Sequence, residues 1–265
     1  MIHPSAVVHP HAKLDSTVEV GPYAVIDAGV ELGANCVVGP HVYLAGLTKA
    51  GAGNKFHAGC VIGGTPQDLK YKGEPTRLLI GDHNTFREHV TVNSATTPEE
   101  DTVLGSNNLL MAGAHIGHNC VLGSYIIIAN TSMLGGHVHV ADRALISGSC
   151  LVHQFCHIGT LAMMRGGAAI SKDLAPFTVA RGENGISGLN IIGLRRNGFS
   201  ADERLELKKL YHAIFRSGRP ITEATAASRK EFSSQGAQVM LDFIATSKRG
   251  VCAARGVLPS DEDDE

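Results

Sequence analysis

The sequence has 265 residues, 23 basic against 25 acidic side chains, 43% hydrophobic residues and a formal net charge of −2. This balance excludes a disordered chain and a general nucleic-acid binder. The longest apolar run, from Tyr125 to Ala129, is too short to cross a bilayer, so no integral membrane segment is predicted. Residues 1–4 show neither the basic nor the apolar region of a secretory signal, which predicts a cytoplasmic protein.

An aliphatic residue recurs at every sixth position from Ile2 to Ile170. Of the 29 positions in this series, 23 hold Ile, Leu, Val or Met, and only Asp68, Glu74 and Pro98 break the pattern. A period of six is neither helical nor that of a plain alternating strand, and it is typical of a parallel β-helix. The sequence therefore predicts a triangular prism of stacked 18-residue coils, about nine or ten of them.

Two kinds of small residue accompany this repeat. A small or β-branched residue often stands four places after the aliphatic one, and we expect both to point into the prism. Glycine often stands one place after it, where we expect its backbone freedom to serve the turns. Five of the six cysteines occupy the small inward position, which predicts core packing and argues against disulfides or metal binding. They are Cys36, Cys60, Cys120, Cys150 and Cys156.

The predicted prism covers residues 1–176, and the breaks in its repeat mark two polar excursions, near 64–79 and 93–102. Excursions from a rigid scaffold are common places for functional residues. Three further segments are predicted: a glycine-rich connector over 177–199, a helical domain over 200–255 and an acidic disordered tail over 256–265. The helical domain begins with a Ser200–Glu203 capping box and has further helices near 222–233 and 237–249.

Histidine is unusually frequent, with 14 in the chain. His115, His118, His137 and His153 all avoid the inward positions, so the repeat predicts that they project from the prism. Positions 118, 136 and 154 are separated by one coil each, and stacking therefore brings His118, Gly136 and Gln154 onto one face. Such an outward cluster is typical either of a metal site or of a cleft shared with a neighbouring subunit.

Zinc is a genuine alternative, because trimeric β-helices of the carbonic anhydrase type bind it through three such histidines. No acidic residue stands obviously beside the cluster in the sequence to orient zinc ligands, whereas the polar excursion around residues 67–71 lies close to it. These observations favour the shared cleft, and no metal is predicted.

Several motifs resemble the family of acyl-[acyl-carrier-protein]–UDP-N-acetylglucosamine O-acyltransferases, and the resemblance runs from Met1 to about Gly250. The motifs are Gln67-Asp68-Leu69-Lys70-Tyr71, Gly73-Glu74-Pro75-Thr76, Ile80-Gly81-Asp82, Asn107-Asn108-Leu109-Leu110-Met111, Ala114-His115-Ile116-Gly117-His118, Gly136-His137-Val138, His153-Gln154-Phe155-Cys156 and Gly198-Phe199-Ser200. The resemblance implies a mainly β protein, a left-handed parallel β-helix followed by a small helical domain. It further implies a cytoplasmic homotrimer with active sites between subunits, catalysing the first step of lipid A synthesis.

The resemblance also implies residue roles. His118 matches the catalytic base, and Gly136 matches the backbone N–H donor to the oxyanion. Substrate-binding roles are implied for Asp68, Lys70, His115, His137, His153, Gln154, Gly166, Asn190 and Arg196. Within that set, Gly166 matches the position that sets acyl-chain length, and Asn190 and Arg196 match nucleotide contacts supplied by a neighbouring subunit.

The implied substrates are a UDP-sugar and an acyl thioester carried by acyl carrier protein, so no cofactor is implied. Residues 201–255 contain ten basic and six acidic side chains, an excess that would attract the acidic carrier protein.

The sequence departs from the family pattern in three places. Asn93-Ser94-Ala95 replaces His-Arg-Gly near the acceptor, Asn197 replaces an arginine, and Asn184 replaces a histidine that bounds the acyl tail. Loss of an arginine near the acceptor would suit a partly cationic amine, so N-acylation of the 3-amino analogue of the sugar is an alternative reaction. The pathway's related N-acyltransferase is another alternative, but that family carries an extra N-terminal domain, whereas the repeat here starts at Ile2. A zinc-dependent carbonic anhydrase-like trimer and a non-catalytic β-helix scaffold are the remaining alternatives.

Overall fold

The computed structural model describes residues 1–254, and the acidic segment 256–265 lies outside the described residues. Short β-strands form three sheets, here called faces I, II and III, which enclose a triangular prism. Each coil of the chain contributes one strand to each face in turn.

The strands of the three faces follow one another along the prism axis. Face I contains Val7–Val8, Val25–Ile26, Tyr43–Leu44, Val61–Gly64, Thr91–Asn93, His115–Ile116, Met133–Leu134, Leu151–Val152 and Ala169–Ile170. Face II contains Lys13–Leu14, Glu31–Leu32, Leu47–Ala50, Arg77–Ile80, Asp101–Leu104, Val121–Leu122, His139–Val140 and His157–Ile158. Face III contains Glu19–Val20, Val37–Val38, Lys55–Phe56, Thr85–Phe86, Leu109–Leu110, Ile127–Ile128, Leu145–Ile146, Met163–Met164, Thr178–Arg181, Gly185–Leu189 and Ala253–Ala254.

Neighbouring strands of the prism pair in parallel and in register, as in Val7 with Val25 and Val8 with Ile26, one coil apart. The predicted parallel β-helix is therefore confirmed. The aliphatic positions fill its interior, together with a stacked Phe56–Phe86 pair whose ring centroids are 5.0 Å apart. The five cysteines at the small inward position are buried, as expected.

The frequent glycines have a different cause from the one that the sequence suggests. Those placed one residue after the aliphatic position are needed because adjacent coils approach closely: a Cβ on Gly117 would lie 2.8 Å from the carbonyl carbon of Gly135. The left-handed backbone conformation mostly falls two residues later, where most coils have a residue other than glycine, with φ from 54° to 65°. Examples are Tyr23, Asn35, His41, Asn107, Asn119, His137 and Phe155. The expectation that glycine supplies turn flexibility is thus wrong for Gly117 and its equivalents, with the exception of Gly63, whose φ is 80°.

A ladder of buried asparagines replaces the small inward residue in three consecutive coils. Asn84 donates to Asn54 Oδ1 at 3.0 Å and to the Gly105 carbonyl at 2.9 Å, and its own Oδ1 accepts from Asn108 N at 2.9 Å. These side chains satisfy backbone groups at the ends of strands, so burial costs them little.

Both excursions leave the prism at the same corner. Residues 65–76 and 94–100 connect the end of a face I strand to the start of a face II strand. Ile80 consequently pairs with Ala50, 30 residues earlier, and with Leu104, 24 residues later, while strand pairing itself is preserved. The turns after Ile116 and Leu134 join the same two faces, which places the excursions beside His118 and Gly136. This edge is called the I–II corner below.

The predicted connector over 177–199 contains regular structure. Thr178–Arg181 extends face III by pairing with Met163–Met164, then pairs antiparallel with Gly185–Leu189. Gly182 and Asn184, with φ of 60° and 50°, make the sharp reversal between these strands.

In the described part of the chain, four helices follow this hairpin: α1 Ile191–Arg196, α2 Ala201–Phe215, α3 Ile221–Ser228 and α4 Gln235–Thr246. The Ser200–Glu203 capping box starts α2, as predicted. Both α3 and α4 end earlier than the sequence suggests. Ser234 caps α4, so that this helix starts two residues sooner than predicted. The extended conformation of Ser247 ends α4 at Thr246. The helices pack a second core against the end of the prism. Within residues 1–254, none of them is long and apolar enough to cross a membrane.

Candidate active site

A cavity of ≈ 550 Å³ lies along face I near the I–II corner. Its walls are partly apolar, with Met133, Leu134, Leu151, Val152, Ala169 and Ile170, and partly polar, with Gln67, Asn93, His115, His118, His153, Gln154, Ser171, Glu183 and Asn184. Gly117, Gly135 and Gly136 complete the lining. A larger cavity of ≈ 790 Å³ on face II has only lysine and carboxylate side chains as polar groups, without a histidine or a nucleophile. The face I cavity is therefore the candidate site.

His118 is buried against the I–II corner, less exposed than the sequence analysis expects of an outward residue. Its Nδ1 lies 2.8 Å from the Oδ1 of Asn119. Asn119 is held in the left-handed conformation, and its backbone N–H donates to Thr102 Oγ1 at 2.8 Å. The imidazole therefore has one nitrogen engaged by the protein and the other available for chemistry.

Gly136 packs directly beneath this imidazole. A Cβ at Gly136 would lie 2.4 Å from His118 Cε1 and 2.5 Å from Nε2, so only glycine fits while the ring keeps its position. Within residues 1–254 the Gly136 N–H has no hydrogen-bond acceptor, and the same holds for the equivalent N–H groups of His118 and Gln154. The turn geometry thus presents a free backbone donor next to a histidine ring.

His115 and His137 flank His118 on two sides. His115 Nδ1 lies 2.7 Å from Thr91 Oγ1, and His137 packs edge-on against His118 with a centroid distance of 5.2 Å. Burial, followed by proximity to His118, holds the pKa of both His115 and His137 below the usual value. Glu100 and Asp68 oppose this shift at His137. Both flanking rings are accordingly neutral near pH 7.

An acidic residue does stand beside the cluster, which corrects the expectation drawn from the sequence. Glu100 Oε2 accepts from Asn119 Nδ2 at 2.6 Å and lies 3.8 Å from His137 Nδ1. The excursion over 94–100 brings it there, 19 residues before Asn119 in the chain. The sequence does not reveal the role of Glu100 and Thr96, because a loop's path is not encoded in the repeat, nor that of Asn119, because asparagine is common at a left-handed turn position.

The first excursion reaches the same corner. Gln67 lines the cavity, and Asp68 Oδ1 accepts from the Lys70 N–H at 2.8 Å, which shapes the loop. Lys70 is exposed. At the end of the strand that precedes the second excursion, Asn93 Nδ2 donates to the Thr65 carbonyl at 2.9 Å, and among residues 1–254 its buried Oδ1 has no hydrogen-bond partner.

The far end of the cavity is polar. His153 Nδ1 lies 3.1 Å from the Gln154 carbonyl oxygen and 3.4 Å from Arg249. Asn184 Oδ1 accepts from Ser171 N at 2.7 Å and closes this end. Gly166 lies one corner away, between faces III and I, and a Cβ there would meet Gly148 O at 3.6 Å, an ordinary contact.

Asn190 and Arg196 do not join this cavity within one chain. Asn190 caps α1 and donates to the Leu161 carbonyl at 2.9 Å. Arg196 lines a separate cavity of ≈ 670 Å³ together with Arg143, Phe177 and Phe199. The structure therefore brings the histidines, Gly136 and Gln154 together and leaves the two implied nucleotide contacts elsewhere.

Cysteine nucleophiles and a metal centre find little support in these side chains. Burial raises the pKa of Cys120 to about 12 and that of Cys156 to about 11, so both thiols stay protonated. Across the described part of the chain, no three His, Cys, Asp or Glu side chains are arranged to hold a metal ion. A histidine beside a free backbone donor is instead the arrangement that acid–base catalysis of acyl transfer requires.

Two family descriptions match parts of the chain. Residues 173–252 match "Udp N-acetylglucosamine O-acyltransferase; Domain 2", and residues 11–46 and 101–136 match the bacterial transferase hexapeptide repeat.

Individual relatives match nearly the whole chain. An acyl-[acyl-carrier-protein]–UDP-N-acetylglucosamine O-acyltransferase from Janthinobacterium sp. (strain Marseille) is 47% identical over 95% of this chain and 98% of its own. The UDP-N-acetylglucosamine acyltransferase structure from Bacteroides fragilis is 38% identical with a TM-score of 0.90, covering 95% of this chain and 99% of its own. That from Francisella novicida is 34% identical with a TM-score of 0.91, covering 97% and 95%. With this fold, this cluster and these relatives, the chain belongs to the acyl-[acyl-carrier-protein]–UDP-N-acetylglucosamine O-acyltransferase family.

Proposed function

We propose that this protein transfers a (3-hydroxy)acyl group from acyl carrier protein to the 3-hydroxyl of UDP-N-acetylglucosamine, the first step of lipid A synthesis. The observation that carries the proposal is the contact of the His118 ring with Gly136 in the face I cavity. The relatives bear the name of this reaction and match nearly the whole chain.

The proposed mechanism uses His118 as general base. Its Nε2 accepts the proton of the sugar hydroxyl while that oxygen attacks the thioester carbonyl carbon. The resulting tetrahedral oxyanion accepts a hydrogen bond from the Gly136 N–H. Collapse breaks the carbon–sulfur bond, and the proton on His118 passes to the departing sulfur of the carrier protein. All groups needed for these steps belong to the chain or the substrates, so the reaction requires no cofactor.

Substrate contacts are proposed from the residues that match the family motifs. His115 lines the cavity near the reacting centre, and with Asp68, Lys70 and His137, which lie at the same corner outside the lining, it would hold the sugar and its phosphates. His153 and Gln154 continue along the cavity, where the apolar side chains of Met133 and Leu151 suit an acyl chain. Gly166 would border the far part of that chain, at the position that sets its length, where the absence of a side chain permits a long acyl group.

The proposed assembly is a cytoplasmic homotrimer with the sites between subunits. Met133 and Leu151 on the cavity wall are 50% and 52% exposed in the single chain, and a neighbouring subunit would cover them. The neighbour would also supply Asn190 and Arg196 to the nucleotide.

Acyl carrier protein is the proposed partner of the helical domain. Arg204, Lys208 and Arg216 line a cavity of ≈ 650 Å³ between α2 and Gly185–Leu189. Cationic side chains of this kind attract an acidic carrier and speed its encounter. A Lys208→Glu variant should raise KM for acyl carrier protein, with no change in KM for the sugar.

Product analysis tests the reaction. The purified protein is incubated with acyl carrier proteins of several chain lengths and with UDP-N-acetylglucosamine or its 3-amino analogue, and the products are identified by mass. We expect an O-acylated sugar, with kcat/KM favouring the hydroxyl acceptor. If the protein consumes no thioester with either sugar, the proposal is contradicted.

Subunit mixing tests the shared site. His118→Ala and Arg196→Ala proteins, each nearly inactive alone, are unfolded and refolded together. Mixed trimers then contain intact sites, about a quarter of the total for random assembly. If trimers that are shown to be mixed recover no activity, the site is not built from two subunits.

A further inference from the structure

A chain of hydrogen bonds connects His118 to a carboxylate outside the cavity. His118 Nδ1 lies 2.8 Å from Asn119 Oδ1, and Asn119 Nδ2 lies 2.6 Å from Glu100 Oε2. The same Asn119 Oδ1 also accepts from Thr96, at 3.1 Å from its backbone N–H and at 3.0 Å from its hydroxyl. The excursion over 94–100 thus makes three hydrogen bonds to Asn119, the residue next to the proposed base.

The partners of Asn119 determine which way its amide points. A backbone N–H can only donate, so the group facing Thr96 N must be the oxygen of Asn119. An ionised carboxylate can only accept, so the group facing Glu100 must be the NH₂. A flipped amide would set NH₂ against the Thr96 N–H and oxygen against the carboxylate, losing both interactions.

This orientation dictates the proton position on His118. Because Asn119 presents an oxygen, His118 Nδ1 must carry the hydrogen and donate it. The neutral ring then has its lone pair on Nε2, the nitrogen next to Gly136. A general base in the cavity requires that tautomer.

We infer that Glu100 is a positioning residue that, through Asn119, holds His118 in the Nδ1–H tautomer; its role in catalysis rests on the proposed function. Glu100 is 56% exposed through its side chain and makes no contribution to the prism core. Its contact with His137 is longer, 3.8 Å against 2.6 Å, and His137 is neutral near pH 7, so the bond to Asn119 is the stronger one.

Glu100→Ala tests the inference, with Glu99→Ala as the matched control on an adjacent exposed residue. We expect Glu100→Ala to lower kcat by roughly tenfold to a hundredfold, with KM for the sugar nearly unchanged. Glu100→Gln can still accept from Asn119, so its loss should be smaller. A Glu100→Ala protein as active as the Glu99→Ala control would overturn the inference.

Nitrogen-15 NMR of labelled histidine supplies a readout that a merely structural role would not move. The wild type should show His118 protonated at Nδ1, whereas Glu100→Ala, in which only Thr96 still orients the Asn119 amide, should show an added minor population of the Nε2–H tautomer. An unchanged tautomer alongside lost activity would also overturn the inference.

A second substitution should rescue the Glu100→Ala protein. Asn119→Asp combined with Glu100→Ala places an acceptor-only group directly at His118 Nδ1, so the double variant should restore the Nδ1–H tautomer and most of kcat. A restored tautomer without restored kcat would sink the positioning role. The NMR result does not depend on acyl transfer, so a wild-type protein that transfers nothing would contradict the proposed function while leaving the tautomer assignment standing.

Discussion

Two corners of the prism each carry a histidine ring stacked on another aromatic ring one coil away, but the two corners differ in what surrounds these rings. Tyr23 stacks on His41 at 5.2 Å between faces III and I, and His137 stacks on Phe155 at 4.6 Å at the I–II corner. All four residues share the left-handed backbone conformation, with φ from 56° to 65°. Regular coils flank the first pair, whereas an excursion brings Glu100 to within 3.8 Å of His137. Ring stacking is thus a product of the repeat, and the excursion turns one corner into a candidate catalytic site.

The largest expected effect comes from removing the proposed base. His118→Ala should lower kcat by ~10²–10⁴, because it removes the imidazole that packs against Gly136 and is proposed to take the hydroxyl proton. His41→Ala at the other corner should leave kcat unchanged. Steady-state acyl transfer measures both, and circular dichroism checks that each variant remains folded. Near-wild-type turnover of His118→Ala would reject the assignment of the base.

Gly136→Ala should reduce kcat by about a hundredfold, because its Cβ at 2.4 Å from His118 Cε1 forces the ring away. Gly148→Ala is the matched control: its Cβ meets nothing nearer than Asn130 O at 3.5 Å. We expect the control to keep wild-type kcat in the same assay. Equal activity of the two variants would mean that the ring tolerates displacement.

The asparagine ladder allows a stability test away from either corner. Asn84→Ala strands the Gly105 carbonyl and the Asn108 N–H in the core, so the free energy of unfolding should fall by about 2–4 kcal/mol. Asn130→Ala, on an exposed turn, should change it little. Urea titration of both variants gives the comparison, and a similar midpoint for the two would contradict the role of the ladder.

The smallest expected effect is a pH dependence of stability from the neutral histidines. The pKa of His115 is lowered in the folded state, so below about pH 6.5 the unfolded chain binds more protons and stability falls. Above that pH both states are neutral at this residue and the effect vanishes. His115→Gln should therefore lose less stability than the wild type between about pH 7.5 and about pH 5.5, measured by urea midpoints.

The fold was predictable because each coil repeats one packing problem. A position such as Ile116 or Cys120 has the same neighbours as its equivalents 18 residues away, so periodicity alone identifies it as buried. The Ser200–Glu203 capping box was predictable for a similar reason, since its partners are three residues apart. The reason for glycine at positions such as Gly117 was not predictable, because close contact between coils and a positive φ both favour glycine and the sequence does not distinguish the two causes.

The candidate site was predictable only where it follows the repeat. His118 and Gly136 are one coil apart, so stacking brings them together. Glu100 reaches Asn119 through a loop whose path follows no periodicity, and asparagine at a left-handed turn position has an ordinary structural explanation. Asn190 and Arg196 lie away from the cavity in one chain, and the roles of all these residues remain predictions.

The preserved pairing of Ile80 with Ala50 and with Leu104 has a consequence for how this scaffold can change. Because both excursions begin and end at the I–II corner, their length is decoupled from the stacking of the coils. Doubling a loop costs only about 0.6 kcal/mol of closure entropy. Segments of new length and chemistry can therefore be grafted at this corner, and substrate specificity can diverge there while the strands that carry His118 and Gly136 keep their register.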